Sequence, residues 1–75
     1  MLRGKLAEAR NYYEQATRVN VNDAEAQYNY ATFLEDQGQI EEARAHYETF
    51  LRVAPPSFSP SISEVREKLS LPPGP

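Results

Sequence analysis

The sequence predicts an all-α protein, a short solenoid fragment of antiparallel helix-turn-helix units with about four helices. Three observations carry this expectation. The chain repeats itself at an offset of 34 residues: Gly4, Glu8, Ala9, Arg10, Tyr13, Glu14, Arg18 and Val19 recur as Gly38, Glu42, Ala43, Arg44, Tyr47, Glu48, Arg52 and Val53, with Leu6 and Ile40 a conservative ninth pair. A period of this length belongs to helix-turn-helix solenoids, whose units bury their apolar faces only against their neighbours. Apolar residues also recur at helical spacing in successive stretches. Between those stretches lie Asn, Gly and Pro, the residues that start and stop helices.

Residues 5–20 read as the first helix. Leu6, Ala9, Tyr13 and Ala16 form its stripe, and Arg10, Glu14 and Arg18 run down the other side at i,i+4 spacing. Asn20-Val21-Asn22 breaks the pattern. Asn22 suits an N-cap, with Glu25 at the third helical position as in a capping box. A second helix follows over about 23–37, with Ala26, Tyr30, Ala31, Phe33 and Leu34 apolar, and Gly38 marks its stop. The third covers about 39–53. Its stripe is Ile40, Ala43, Tyr47, Phe50 and Leu51, and it ends at Pro55-Pro56, because Ala54 before proline is pushed out of helical geometry. A loop at Ser57-Phe58-Ser59-Pro60 leads to a fourth helix over 61–70. There Ser61 and Glu64 form a capping box, and Ile62, Val65 and Leu69 share a face. Pro72-Pro73-Gly74-Pro75 reads as a frayed, flexible tail.

Seventy-five residues bound the chain to one small domain, here 1–71, with a modest core. There is no cysteine, hence no disulfide and no thiolate site; with one His, a metal would rest on carboxylates alone, and no metal or cofactor is expected. A formal charge of −3 and a pI of about 5.0 without a basic cluster argue against direct nucleic-acid binding. No apolar run approaches the roughly 20 residues of a membrane span, so no membrane insertion is expected. Met1-Leu2-Arg3-Gly4-Lys5 leads into a charged amphipathic helix rather than a signal-peptide core, which points to a cytoplasmic location.

These residues resemble the tetratricopeptide repeat, a 34-residue antiparallel helix pair. The resemblance covers roughly residues 4–70, with one complete copy at 24–55 inside a unit spanning 23–55. Gly38 falls at the turn between the two helices, Ala43 at the family's small residue early in the second helix, Tyr47 at its aromatic and Pro55 at its closing proline. Ala43 is small where the two helices cross and their backbones approach closely. The first helix departs from the pattern. Gln27 stands where the family favours Trp, which implies a partly solvated edge, and Tyr30, Ala31 and Leu34 replace the usual Leu, Gly and Tyr. Residues 4–21 match only the second half of a repeat, with Val21 in place of proline. Residues 61–70 look like a C-terminal capping helix. The half-a-TPR repeats of RNA-processing scaffolds share Ala43-Arg44-x-x-Tyr47-Glu48 and Tyr30-Ala31-x-Phe33. That subtype lacks support at position 27, where its Trp is missing, and its acid is displaced to Glu35.

The resemblance implies a non-enzymatic protein–protein interaction module, a scaffold or adaptor. The first helix of each pair lines the groove in this family. On that basis the partner-binding residues are Glu25, Tyr28, Asn29, Thr32, Glu35 and Asp36. This face carries three acids, one amide and one exposed aromatic, and no base, so a peptide with Lys or Arg beside an apolar residue suits it. The plain alternative is an ordinary solvated helix face. Tyr28 is the leading contact, since exposed tyrosines are enriched at interface hot spots. Asn29 matches an asparagine that helps hold a peptide carboxylate in chaperone-binding members, but Glu25 and Thr32 stand where such members need bases. His46 reads as a surface imidazole paired with Glu42, without a nucleophile or second ligand. Ser57, Ser59, Ser61 and Ser63 read as loop and cap residues, with Ser59-Pro60 a minimal site for a proline-directed kinase.

Helix 5–20 has no first helix of its own. Its stripe of Leu6, Ala9, Tyr13 and Ala16 can cover only one side of helix 23–37, which leaves the remainder open. Two expectations compete. The chain is cut from a longer array, with Met1 added or internal, or it is complete and buries that face in a second copy. The first is favoured, with self-association as its physical consequence. The second functional reading is therefore a structural element that forms homo-oligomers through Leu6, Ala9, Tyr13 and Ala16. One unit between a half-unit and a cap makes an incomplete groove, so much of the binding surface is expected to lie outside this chain.

Overall fold

A computed structural model describes residues 2–70, with side chains from Lys5 onward; the Pro-rich tail expected at 72–75 lies outside the described residues. Four α-helices follow one another, α1 (Leu2–Val19), α2 (Ala24–Asp36), α3 (Ile40–Val53) and α4 (Ser59–Ser70), with a 3₁₀ turn at Pro56–Phe58 before the last. The Cα envelope is 35 × 34 × 16 Å, thick enough for two layers of helices and no third. The radius of gyration is 12.6 Å, against about 11 Å for a compact sphere of this length. A slab this thin leaves every helix with an outward face.

Local chemistry sets the boundaries. Asn20 Oδ1 accepts from the Asn22 amide at 3.1 Å and tightens the first turn. The expected N-cap at Asn22 moves one residue on. Asp23 is extended (φ −78°, ψ 99°) and its Oδ1 accepts from the Ala26 amide at 3.1 Å. With the Asn22 backbone held in the turn, Asp23 is the residue whose carboxylate reaches the third amide ahead. The end of α2 is a Schellman stop: the Gln39 amide donates to the Leu34 carbonyl at 2.9 Å and the Gly38 amide to the Glu35 carbonyl at 3.0 Å. Gly38 adopts φ +80°, the positive-φ position that this stop requires. Ala54 leaves α3 extended (φ −70°, ψ 129°) ahead of Pro55.

Helix α4 begins at Ser59, two residues before the expected start, because Pro60 fits the first turn of a helix. Ser61 therefore lies inside the helix and forms no capping box with Glu64, whose carboxylate is used elsewhere. Adding 34 to the bounds of α2 gives 58–70, one residue from those of α4. The period thus continues into the last helix, although few side chains repeat.

The core is one cluster of Ala24, Tyr30, Ala31, Leu34, Ala43, Tyr47, Phe50 and Val65. Leu34, Ala31, Phe50 and Val65 are fully excluded from solvent. Small Ala31 and Ala43 let α2 and α3 approach closely, and Phe50 joins that pair to α4 through Phe58, ring centroids 5.9 Å apart. On the other side Tyr13 of α1 stacks on Tyr30 at 5.9 Å and leans on Phe33 at 5.3 Å.

Candidate partner-binding site

On α2, Glu25, Asn29, Thr32 and Asp36 follow one another at spacings of four, three and four, which places them on a single stripe. Glu25, Asn29 and Asp36 are exposed and Thr32 is half-buried, its hydroxyl donating to the Asn29 carbonyl at 2.9 Å. Glu25 sits in the first turn, where the helix dipole favours an acid. Asp36 sits at the last position, where the dipole disfavours one, and the last turn carries no base. Among the described residues Asp36 has no ion-pair partner.

Tyr28 and Glu35 lie on the adjacent stripe and are turned toward α4. Tyr28 is half-buried rather than a free aromatic. Its ring meets Phe50 at 5.4 Å and Tyr47 at 6.1 Å, and its hydroxyl donates to Glu64 Oε1 at 3.0 Å. Glu35 accepts from the Tyr47 hydroxyl at 2.7 Å and from Lys68 Nζ at 3.1 Å on both oxygens. Burial opposes the charge on Glu35, but the Tyr47 hydroxyl and the Lys68 ammonium outweigh it and hold the carboxyl below its ordinary range. The α2 face was expected to carry no base; α4 brings Lys68 to it from 33 residues away. No local pattern could reveal that contact, although the 34-residue phase of α4 could have placed Lys68 near the end of α2.

A second surface lies on α1. The repeat supplies an internal comparison, since residues 6–19 of α1 correspond to Ile40–Val53 of α3, whose inner face packs on α2. Ala43, Tyr47 and Phe50 are buried, whereas Ala9, Tyr13 and Ala16 are half-buried. Leu6 is 39% exposed, as Ile40 is 45%. Two residues outside the expected set stand out: Tyr12 is 69% and Val19 86% exposed. They fall on the outer side of the stripe, whereas Tyr13 turns inward to α2. A bare count of apolar residues at i,i+3 and i,i+4 spacing does not tell those two sides apart.

Between these surfaces runs a polar chain. Arg10 donates to Glu14 at 3.2 Å and to Glu42 at 3.2 and 3.0 Å, and the Tyr30 hydroxyl donates to Glu14 at 3.3 Å. Glu42 is therefore engaged with α1, and the expected Glu42–His46 pair does not form. Instead His46 Nδ1 lies 2.7 Å from Gln27 Oε1, and the ring packs 4.4 Å from Tyr30. Gln27 itself is 1% exposed, against the solvated edge expected for it. Its Nε2 donates to the Val21 carbonyl at 2.9 Å, so Oε1 is the acceptor and His46 carries its proton on Nδ1. Both amide groups are satisfied, which is what allows the side chain to be buried. Burial pushes the His46 imidazole below its ordinary value, with Glu42 opposing and Arg10 assisting. No nucleophile is paired with it, and among the described residues no cluster of His, Asp and Glu is arranged to hold a metal ion. No helix of the described residues is long and apolar enough to cross a membrane.

Antiparallel helices in two layers, a 34-residue period and a positive-φ glycine between paired helices define a helical-repeat protein. The tetratricopeptide repeat family model matches residues 3–58, well over half of the chain, and the chain belongs to that family. Its repeats are non-catalytic modules that generally mediate protein–protein interaction or scaffolding. No curated protein and no solved structure matches the chain.

Proposed function

We propose that this chain is an interaction module that takes up a peptide segment along the outward stripe of α2, through Glu25, Asn29, Thr32 and Asp36. Tyr28 and Glu35 act here by holding α4 against the edge of that stripe and presenting their outer surfaces beside it. The carrying observation is Asp36, an acid kept at the unfavourable end of a helix without an ion-pair partner among the described residues. Together with Glu25 it leaves uncompensated negative charge on one stripe about 16 Å long. A Lys- or Arg-bearing peptide supplies the missing charge, and Asn29 offers both a donor and an acceptor to its backbone.

The test is titration of fluorescent peptides carrying Lys or Arg next to an apolar residue. Affinity is expected to fall as salt is raised, and Glu25→Lys with Asp36→Lys to weaken it at least about tenfold. Equal binding by the doubly reversed variant, folded by circular dichroism, would discard this reading. A second reading is favoured by the contrast in burial between α1 and α3: the α1 face serves self-association, and the chain is an assembly element.

A further inference from the structure

We infer that the cleft between α1 and α3 is a second binding site, which takes a carboxylate of an acidic peptide segment between Arg18 and His46. The cleft holds about 380 Å³. Buried Thr17, Gln27 and Tyr30 form its floor, and Arg18, His46 and Thr49 stand along its walls. Gln27 and Tyr30 reach it from the side of α2 opposite the stripe of Glu25 and Asp36, so the two sites lie on different faces.

Two groups in this lining lack partners. His46 gives its Nδ1 proton to Gln27 Oε1 at 2.7 Å, and its Nε2 is bonded to nothing among the described residues. The i,i+4 spacing sets Arg18 to pair with Glu14. Glu14 is instead taken by Arg10 at 3.2 Å and by the Tyr30 hydroxyl at 3.3 Å. Arg18 is left exposed, with no ion-pair partner among the described residues. Its repeat counterpart, Arg52, leans over the rim and donates to the Thr49 hydroxyl at 3.4 Å. Arg10 stands between two acids, Glu14 and Glu42, so that cluster keeps one negative charge, whereas Arg18 and Arg52 bring two positive ones. The helix dipole accounts for an arginine in the last turn of each helix. It does not account for an open cleft between them with an unbonded imidazole nitrogen in its wall.

A carboxylate answers both groups. One oxygen accepts from the Arg18 guanidinium. The other accepts from His46 Nε2 once the imidazole has taken a proton from solvent. Gln27 presents only its carbonyl oxygen to the ring, because its amide nitrogen is committed to the Val21 carbonyl. Nδ1 therefore keeps its proton in both charge states, and Nε2 is the atom that gains one. With a carboxylate in place, each N–H of the imidazolium has an acceptor. The charged and titratable groups facing the ring are Arg10, Glu14 and Arg18 on α1, Tyr30 on α2 and Glu42 on α3. Of these side-chain types only the imidazole ordinarily titrates near neutral pH. An anion beside the ring favours its charged form. Binding therefore takes up protons and strengthens as the solution is made more acidic through neutrality.

The experiment uses the isotope-labelled 75-residue chain and a peptide of alternating Glu and Ala, with Gln in place of Glu as the control. Followed by NMR, the titration is expected to shift the signals of Thr17, Arg18, His46 and Thr49 and to leave those of Glu25, Thr32 and Asp36 in place. At saturating peptide the midpoint of the His46 ring should rise by at least about half a pH unit. By linkage that is about threefold tighter binding on the acid side of the ring's titration than on the alkaline side. Arg18→Gln, at an exposed position, should keep the helical signal and lower affinity at least about threefold. His46→Gln should leave weaker binding that no longer depends on pH, and the Gln peptide should not bind. No binding at millimolar peptide, equal binding by the Gln peptide, or signal changes confined to the α2 stripe would each overturn the site. Binding that Arg18→Gln leaves unchanged, or that leaves the His46 midpoint where it was, would overturn it as well.

Discussion

Gln27 has the least room for change of any polar side chain described. Its amide ties the α1–α2 turn, through the Val21 carbonyl, to His46 on α3. Gln27→Leu keeps the volume but strands a buried carbonyl and an imidazole N–H. The expected loss is about 1–3 kcal/mol, read from the urea midpoint. His46 gives a complementary test. Its pKa is depressed in the folded chain below the unfolded value, so the unfolded state binds more protons between the two. Stability is then present above about pH 6.5 and declines as pH falls toward the folded pKa. An NMR titration of the ring should give a midpoint below the free value, and His46→Gln should remove this part of the pH dependence. A normal midpoint would contradict the burial assigned to this ring. A reader of the sequence meets His46 four residues after Glu42 and pairs them. The pairing fails because Arg10, 32 residues away, bonds both oxygens of Glu42.

At the scale of elements, helix ends separate two adjacent residues that look interchangeable. Asp23→Ala removes the cap of α2 and should cost about 1 kcal/mol, whereas Asn22→Ala should be nearly neutral. Thermal melts of the two variants distinguish the observed cap from the expected one. Gly38 has open space around the position of a Cβ, so Gly38→Ala meets no clash. Its φ of +80° still burdens any L-residue, and the cost should be about 1–2 kcal/mol. Helix α4 depends on a contact that no helix makes alone. Lys68 bonds both oxygens of Glu35 and stands 5.8 Å from the centre of the Tyr47 ring. Lys68→Met should raise the folded pKa of Glu35 and speed amide exchange along α4 while α2 and α3 keep their protection. Unchanged exchange in α4 would show that Phe58 and Val65 suffice to hold it.

Across the whole molecule, tyrosines link the layers, and their hydroxyls register the fold as a unit. Burial raises Tyr30 to about 12, and burial with the Glu35 bond raises Tyr47 further. A folded pKa above the unfolded value means that this stability is fully present below about pH 10 and is lost as pH rises through the folded values. Alkaline titration followed by tyrosinate absorbance should therefore show cooperative unfolding rather than independent ionisation. Tyr47→Phe should soften the transition. At the acid end, Glu35 behaves in the opposite sense: its contribution is present above its unfolded pKa and is lost as pH falls through the depressed folded one.

The sequence by itself determined the helix-turn-helix repeat, since a 34-residue period and stripes at helical spacing are local, one-dimensional signals. It placed Gly38 at the α2–α3 turn and Pro55 at the end of α3, because backbone sterics act within a few residues. Only the tertiary structure decided which side of each stripe meets a neighbour. Tyr12 and Tyr13 are adjacent in the chain, yet one faces solvent and the other stacks on Tyr30. Only there did Gln27 become buried, Lys68 reach Glu35 and Arg10 take Glu42, because those bonds join residues that the period brings together in space and that no local pattern relates.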